Sequence, residues 1–303
     1  MPRPVTIPEP GTPRSPSWRG YLELLRPPNV VTAVADVLAG YAVAGLGNPE
    51  ALPWLLLATI CLYGGGVVLN DVFDRGVDRL ERPERPIPSG RVSTAHAALF
   101  GAVLLAAGVG AASRATRDAG ILAALLAGFV LLYDGWGKRH GLFGPLNMGI
   151  CRALNLGLGI LAVPTTILKG WPLMGLPLLY IAAVTAVSRG EVHGGKRGTA
   201  GVAIMALAIV LVALALLTVR TGHWSLVGLA LTLLLGVRVL PPFWRAFQAP
   251  EAGTIRTAVR TGVLSLVLLD ATIGAAYAGA PYSAMILVTA LVAGWLARLF
   301  SVT

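Results

Sequence analysis

Residues 52–90, LPWLLLATICLYGGGVVLNDVFDRGVDRLERPERPIPSG, join two chemistries that seldom sit side by side. Residues 52–69 carry no charged side chain and make a run long enough to cross a hydrocarbon core of about 30 Å as a helix. Residues 70–90 then place five carboxylates and four arginines in 21 positions. Ionisable groups at the rim of an apolar span are costly, so by default they mark a site.

The same apolar pattern recurs along the chain. Of 303 residues, 55% are hydrophobic and 13% charged, against roughly 25% charged in a soluble domain. Apolar segments at 29–46, 52–70, 95–113, 119–134, 144–164, 172–188, 199–218, 224–241, 257–279 and 282–299 predict an all-α, polytopic membrane protein. Nine to ten transmembrane helices are expected, depending on whether the last two segments both cross. Breakers such as Gly47-Asn48-Pro49, Gly170-Trp171-Pro172, Thr221-Gly222 and Gly279-Ala280-Pro281 separate them. Residues 1–17, rich in Pro, Ser and Arg, read as a disordered cytoplasmic tail without the apolar region of a cleavable signal. Residues 18–303 read as a single transmembrane domain. Cys61 and Cys151 lie in apolar segments without metal-ligand spacing, and read as packing residues.

A net charge of +10 reports orientation first. With a cytoplasmic amino terminus, 20 of the 24 Lys and Arg residues fall on the inner side; Arg114, Arg117, Lys169 and Arg220 fall outside. This bias accounts for the basic excess without nucleic acid and predicts a multi-pass protein of the cell (inner) membrane. The three chemically loaded loops, 70–94, 133–143 and 188–198, share the cytoplasmic face. Trp18, Trp171, Trp224 and Trp244 read as interface anchors, and His96, His140 and His223 as packing groups at span edges.

Asp71, Asp74 and Asp78 stand at i, i+3 and i+7, so a continuing helix presents all three on one face. Such carboxylates repel unless something positive lies among them. A divalent cation with oxygen ligands, Mg²⁺ held with a phosphate group, meets that need. The plainer reading is a solvated helix with i, i+4 pairs at Asp71/Arg75, Asp78/Arg82 and Glu81/Arg85. Against it stand Gly76 and the run Arg82-Pro83-Glu84-Arg85-Pro86, which are expected to end a helix.

Asn70-Asp71-x-x-Asp74-x-x-x-Asp78, followed by Arg82-Pro83-x-Arg85-Pro86-Ile87-Pro88-Ser89-Gly90, resembles the first signature of the UbiA superfamily of intramembrane prenyltransferases. Span and loop spacing is similar through about residue 200. The resemblance implies helices around a central cavity and Mg²⁺-dependent transfer of an isoprenyl group from its diphosphate to an acceptor, commonly aromatic. It implies that Asn70, Asp71 and Asp74 hold Mg²⁺, that Asp78 supports them, and that Arg82 and Arg85 contact phosphate oxygens. Lys138 and Arg139, which follow Tyr133 as a Lys-Arg pair does in the family, are candidate diphosphate contacts or simple positive-inside anchors. Asn29, after Arg26-Pro27-Pro28, matches a family position near the acceptor; helix initiation at the prolines explains the stretch as well.

Ser188-Arg189-Gly190-Glu191-Val192-His193-Gly194-Gly195-Lys196-Arg197 holds the place of the family's second aspartate-rich motif but has no Asp. Glu191, with His193, is left as candidate ligand there, and Lys196 and Arg197 are candidate replacements for missing positive charge. The wording GEVHGGKR is similar to an EboC-like branch of the superfamily. Within the spans, Asn147, Arg152 and Asn155 lie at helical spacing; Arg152 should face a polar cavity or a carboxylate, and Asp36 should line the cavity, contacting an acceptor or pairing with Arg152. Asp270 has no motif around it.

The expected function is therefore isoprenyl transfer between an isoprenyl diphosphate and a lipophilic acceptor in the bilayer. The alternative is a degenerate relative that binds or carries a lipid or pigment precursor without chemistry. An ion-coupled transporter fits less well, because the charge clusters at one face.

Overall fold

A computed structural model describes residues 18–192, 194–222 and 225–300; these are helical, with no strand among them. The helices are α1 (Trp18–Leu25), α2 (Pro27–Val43), α3 (Ala51–Glu81), α4 (Thr94–Ala115), α5 (Arg117–Gly135), α6 (Phe143–Ile160), α7 (Ile167–Gly170), α8 (Gly175–Ser188), α9 (Arg197–Thr221), α10 (Ser225–Gln248), α11 (Ala252–Ala278) and α12 (Ala280–Leu296). The tail at 1–17, His193, His223 and Trp224 lie outside the described residues.

Seven stretches among the described residues are long and apolar enough to cross a bilayer: α3, α4, α5, Pro164–Ser188, α9, Leu226–Gln248 and α11. The protein is thus a multi-pass helical membrane protein, with fewer clear spans than the nine to ten expected. The shortfall has a physical cause. Helices α2 and α12 have 17 residues each, and α6, of 18, breaks its apolar surface with Asn147, Arg152 and Asn155.

Two boundaries also differ from expectation. Gly76 does not stop α3, which runs on to Glu81 and ends where Arg82 precedes Pro83. A lone glycine costs a helix only about 1 kcal/mol, whereas proline withdraws a hydrogen bond outright. Helix α10 continues through Pro241 and Pro242 to Gln248. The extension of α3 matters most, since it carries the acidic residues out of the apolar layer as a rigid rod.

Helices surrounded by lipid gain little from burying apolar surface against one another, so close backbone approach and hydrogen bonds hold them. Helices α2 and α6 touch backbone to backbone: a Cβ at Gly40 would collide with the Leu156 carbonyl oxygen, and one at Gly159 with that of Val37. Tyr180 donates to the Gly262 carbonyl at 2.8 Å and Tyr282 to that of Leu38 at 2.9 Å, tying α8 to α11 and α12 to α2. A small apolar cluster of Leu24, Val68, Ile87, Val92 and Ala97 pins α1 and the proline-rich loop after α3 to the ends of α3 and α4. That anchor bends the loop back over α3 and sets Arg85 beside the acidic face.

Candidate active site

The acidic face of α3 divides its partners. Asp71 Oδ1 accepts from Arg26 at 2.6 Å and Arg85 at 3.2 Å, and Arg85 also reaches Asp78 Oδ2 at 2.8 Å. Asp74 turns to the end of α5, where Lys138 Nζ lies 2.6 Å from its Oδ1. The i, i+4 pairs Asp71/Arg75, Asp78/Arg82 and Glu81/Arg85 are absent among the ion pairs of the described residues; Arg75 donates instead to the Val72 carbonyl. Asp71 and Asp78 are 4% and 5% exposed, so this is no solvated helix surface. The three carboxylates do not converge on one point, and no group of three acidic, His or Cys side chains among the described residues closes on a metal-sized space.

Of these groups Asp71 lines a charged cavity of about 970 Å³, together with Arg26, Arg82, Arg85, Arg91, Arg256 and Glu191. Arg26 has the left-handed φ of 46° at the break between α1 and α2, which aims its side chain across at α3. Arg91 pairs with Glu23 of α1 at 2.7 Å, closing that side of the cavity. Glu191, from the loop after α8, also lines it. Burial pushes its carboxyl above the ordinary 4.5, while Arg82, Arg256 and Arg26 pull it down.

Beneath the mouth lies a mainly apolar chamber of about 240 Å³, lined by Leu62, Tyr63, Leu126, Val130, Met148 and Cys151 among others. Its polar contributors are Arg26, Asn29, Asn70, Tyr133, Asp134, Arg152 and Asn155. Arg26 lines both spaces, so the charged mouth and the apolar chamber meet there. Arg152 donates to Asp36 Oδ2 at 2.6 Å and to the Thr32 hydroxyl at 2.7 Å, and its guanidinium lies 5.0 Å from the Tyr63 ring centre. Asn155 adds a 2.8 Å bond to the same Asp36 oxygen. Asp270 is fully buried and within electrostatic reach of Asp36 and Arg152.

Of the residues singled out from sequence, Asn29, Asn70, Asp71, Arg82, Arg85, Arg152 and Glu191 line one of the two cavities. Asp74 and Lys138 pair with each other and line neither cavity, Asp78 is tied in through Arg85, and Asp36 pairs with Arg152. Three candidates lie apart from these cavities. Arg139 is exposed and lines neither cavity; Lys196 is exposed; and Arg197 donates to the Gln248 carbonyl at 3.0 Å, away from the mouth. A helix turn explains them: the short 3-10 turn Gly137–Arg139 sends consecutive side chains apart, and Arg197 begins α9 on its outer side. The cations that face Glu191 come instead from Arg82, Arg256 and Arg26. His193, a possible partner of Glu191, falls outside the described residues.

Sequence reasoning passed over Asp134, which is 2% exposed and accepts a 2.7 Å bond from Asn70 Nδ2. Its signal was the one used for Asp71, a carboxylate closing an apolar run. Arg256 had no comparable signal, because only the packing of α11 brings it to the mouth.

Comparison with known proteins agrees with this architecture. A digeranylgeranylglyceryl phosphate synthase of Methanopyrus kandleri is 42% identical over 118 residues, 38% of this chain and 43% of that protein. One from Sulfurisphaera tokodaii is 32% identical over 148 residues, covering 48% and 53%. The chain thus matches about half or less of the length of these curated relatives. Among solved structures, a UbiA homolog from Archaeoglobus fulgidus bound to GPP and Mg²⁺ shares the fold, with a TM-score of 0.62 at 16% identity over 84% of this chain and 99% of that one. A structure described as giving insights into digeranylgeranylglyceryl phosphate synthase in membranes reaches 0.65 at 20% identity, covering 86% and 98%. The model of the UbiA prenyltransferase family matches residues 33–266, well over half the chain, and the protein belongs to that family.

Proposed function

We propose that this protein transfers an isoprenyl group from its diphosphate to a lipophilic acceptor within the membrane, with its charged mouth on the cytoplasmic side. The observation that carries this reading is the junction at Arg26, where a cavity lined by several arginines opens beside an apolar chamber. An amphiphile with an anionic head and a branched hydrocarbon tail matches both halves. The names of the curated relatives support a lipid acceptor.

The donor chemistry at the rim fits Mg²⁺. Asn70 offers an amide oxygen, while Asp71 and Asp74 each engage their cationic partners through Oδ1. These are hard oxygen ligands, and Mg²⁺ is commonly held by one or two carboxylates together with substrate phosphates. Bound there, it would neutralise charge growing on a departing diphosphate. Arg26, Arg85 and Lys138, now matched to carboxylates, would turn to phosphate oxygens, exchanging one set of charge-assisted bonds for another. Arg82, at the end of α3, and Arg256 would add to the same field.

In the transfer itself, the allylic C–O bond breaks with its electron pair leaving on the diphosphate. The acceptor's nucleophilic atom forms the new bond to the allylic carbon, and its displaced proton goes to the departing diphosphate or to water at the mouth. Leu62, Leu126, Val130 and Met148 shield the electron-poor carbon from water meanwhile.

A transfer assay with purified protein, a panel of prenyl diphosphates and lipid-soluble acceptors tests the proposal. Product should depend on Mg²⁺ and be lost in Asp71→Ala and Asp74→Ala. Activity that survives both changes would remove the metal assignment. Tight lipid binding with no Mg²⁺ requirement and no diphosphate release would favour a carrier instead.

A further inference from the structure

Asp134 is a buried carboxylate that the proposed transfer leaves without a task. It sits in the last turn of α5, 2% exposed, in the wall of the apolar chamber. Its Oδ1 accepts from Asn70 Nδ2 at 2.7 Å, and its Oδ2 has no hydrogen-bond partner. Burying a carboxylate with one oxygen unsatisfied costs free energy, so a purely structural role accounts poorly for it.

The bond to Asn70 has a directional consequence. An amide presents oxygen on one side and NH₂ on the other, and the two are close to equal in shape. A carboxylate accepts hydrogen bonds and attracts the NH₂ group. With Nδ2 held by Asp134, the Asn70 carbonyl oxygen is turned away from α5. Asp74 lies one helical turn beyond Asn70 on the same strip of α3, and its partner Lys138 follows Asp134 by one turn of chain. The pairs Asn70–Asp134 and Asp74–Lys138 thus join successive turns of α3 to the end of α5 and the turn after it.

We infer that Asp134 is a positioning residue for the cation site: it fixes the amide of Asn70 so that oxygen, and not NH₂, faces the metal and diphosphate. This rests on the Mg²⁺ reading above. Outer groups that orient a ligand of a metal site typically contribute 10- to 100-fold in affinity.

The test is a titration of the purified full chain with Mn²⁺, followed by electron paramagnetic resonance, in the presence of geranyl S-thiolodiphosphate, which resists cleavage. Asp134→Leu, which removes the acceptor at similar volume, should weaken Mn²⁺ about 10- to 100-fold, with detergent-solubilised size unchanged. The exchanged pair Asn70→Asp with Asp134→Asn restores the hydrogen bond in the reverse direction and presents an oxygen whichever way the new carboxylate turns. It should recover affinity to within about threefold of wild type, a rescue that a merely structural Asp134 would not give. Unchanged Mn²⁺ affinity in Asp134→Leu overturns the inference, as does a loss that the exchanged pair fails to restore. Asp71→Ala separates the two readings. If wild type binds Mn²⁺ and Asp71→Ala does not, the cation site stands and Asp134 alone is on trial; if wild type takes up no Mn²⁺, both fall together.

Discussion

At the scale of single residues, the cation buried within the spans is set against a carboxylate. Asp36 and Arg152, at 0% and 5% exposure, form this pair deep in the bundle. Removing one member of such a pair leaves the other charged and desolvated, at a cost of about 3–5 kcal/mol. Asp36→Ala should therefore lower stability by about that much, read from unfolding in mild detergent, and a loss below about 1 kcal/mol would contradict the pairing. Glu191 gives a pH-dependent counterpart. Its folded carboxyl binds a proton more readily than an unfolded one of ordinary value 4.5, facing Arg82, Arg256 and Arg26. Its contribution is thus greatest below that value and is lost as pH rises through the raised one. Relative to Glu191→Gln, the wild type should lose thermal stability from about pH 4.5 upward, and a relative gain over that range would reverse the sign.

Asp71, Asp74, Asp78, Arg82 and Arg85 were legible in sequence because they form one contiguous run at helical spacing, and Asp36 and Arg152 because charge inside an apolar span is conspicuous. Arg256 was not, since its place at the mouth depends on how α11 packs across the chain. The placing of Arg139, Lys196 and Arg197 was not legible for a related reason: a basic cluster in a loop reports the membrane face, while the direction of each side chain is set by turn geometry that composition does not carry.

At the scale of elements, two features position the site. The first is the unbroken α3, whose acidic outer turns extend from the apolar layer as far as Arg82. Sequence reasoning weighed Gly76 as a stop and undervalued the helical neighbours on both sides. The second is the backbone contact between α2 and α6 at Gly40 and Gly159, which sets Asp36 against Arg152. A methyl group there has no room, so Gly159→Ala should destabilise by about 1–3 kcal/mol as overpacking does. It should also depress transfer activity by displacing Arg152 from the chamber. Wild-type unfolding in this variant would mean that α2 and α6 can separate freely, against the account of how the bundle is held.

At the scale of the whole molecule, the apolar pattern made the membrane class plain, because composition and span length depend on no tertiary detail. Span number was less legible: short helices and helices with buried polar groups, such as α2 and α6, depend on their neighbours for shelter. The charge bias predicts the mouth on the cytoplasmic side. A cysteine introduced by Lys169→Cys should react with a membrane-impermeant maleimide in intact cells, while one from Ser89→Cys should react only after the cells are broken. The opposite pattern would invert the topology.

The central claim is joint recognition of a hard cation and a diphosphate at the outer end of α3. Isothermal calorimetry of the purified protein with geranyl S-thiolodiphosphate, in Mg²⁺ and in chelator, tests it directly. Binding should require Mg²⁺ and vanish in Asp71→Ala with Asp74→Ala. Equal affinity with and without the metal, or retention of binding in that double variant, would contradict the account.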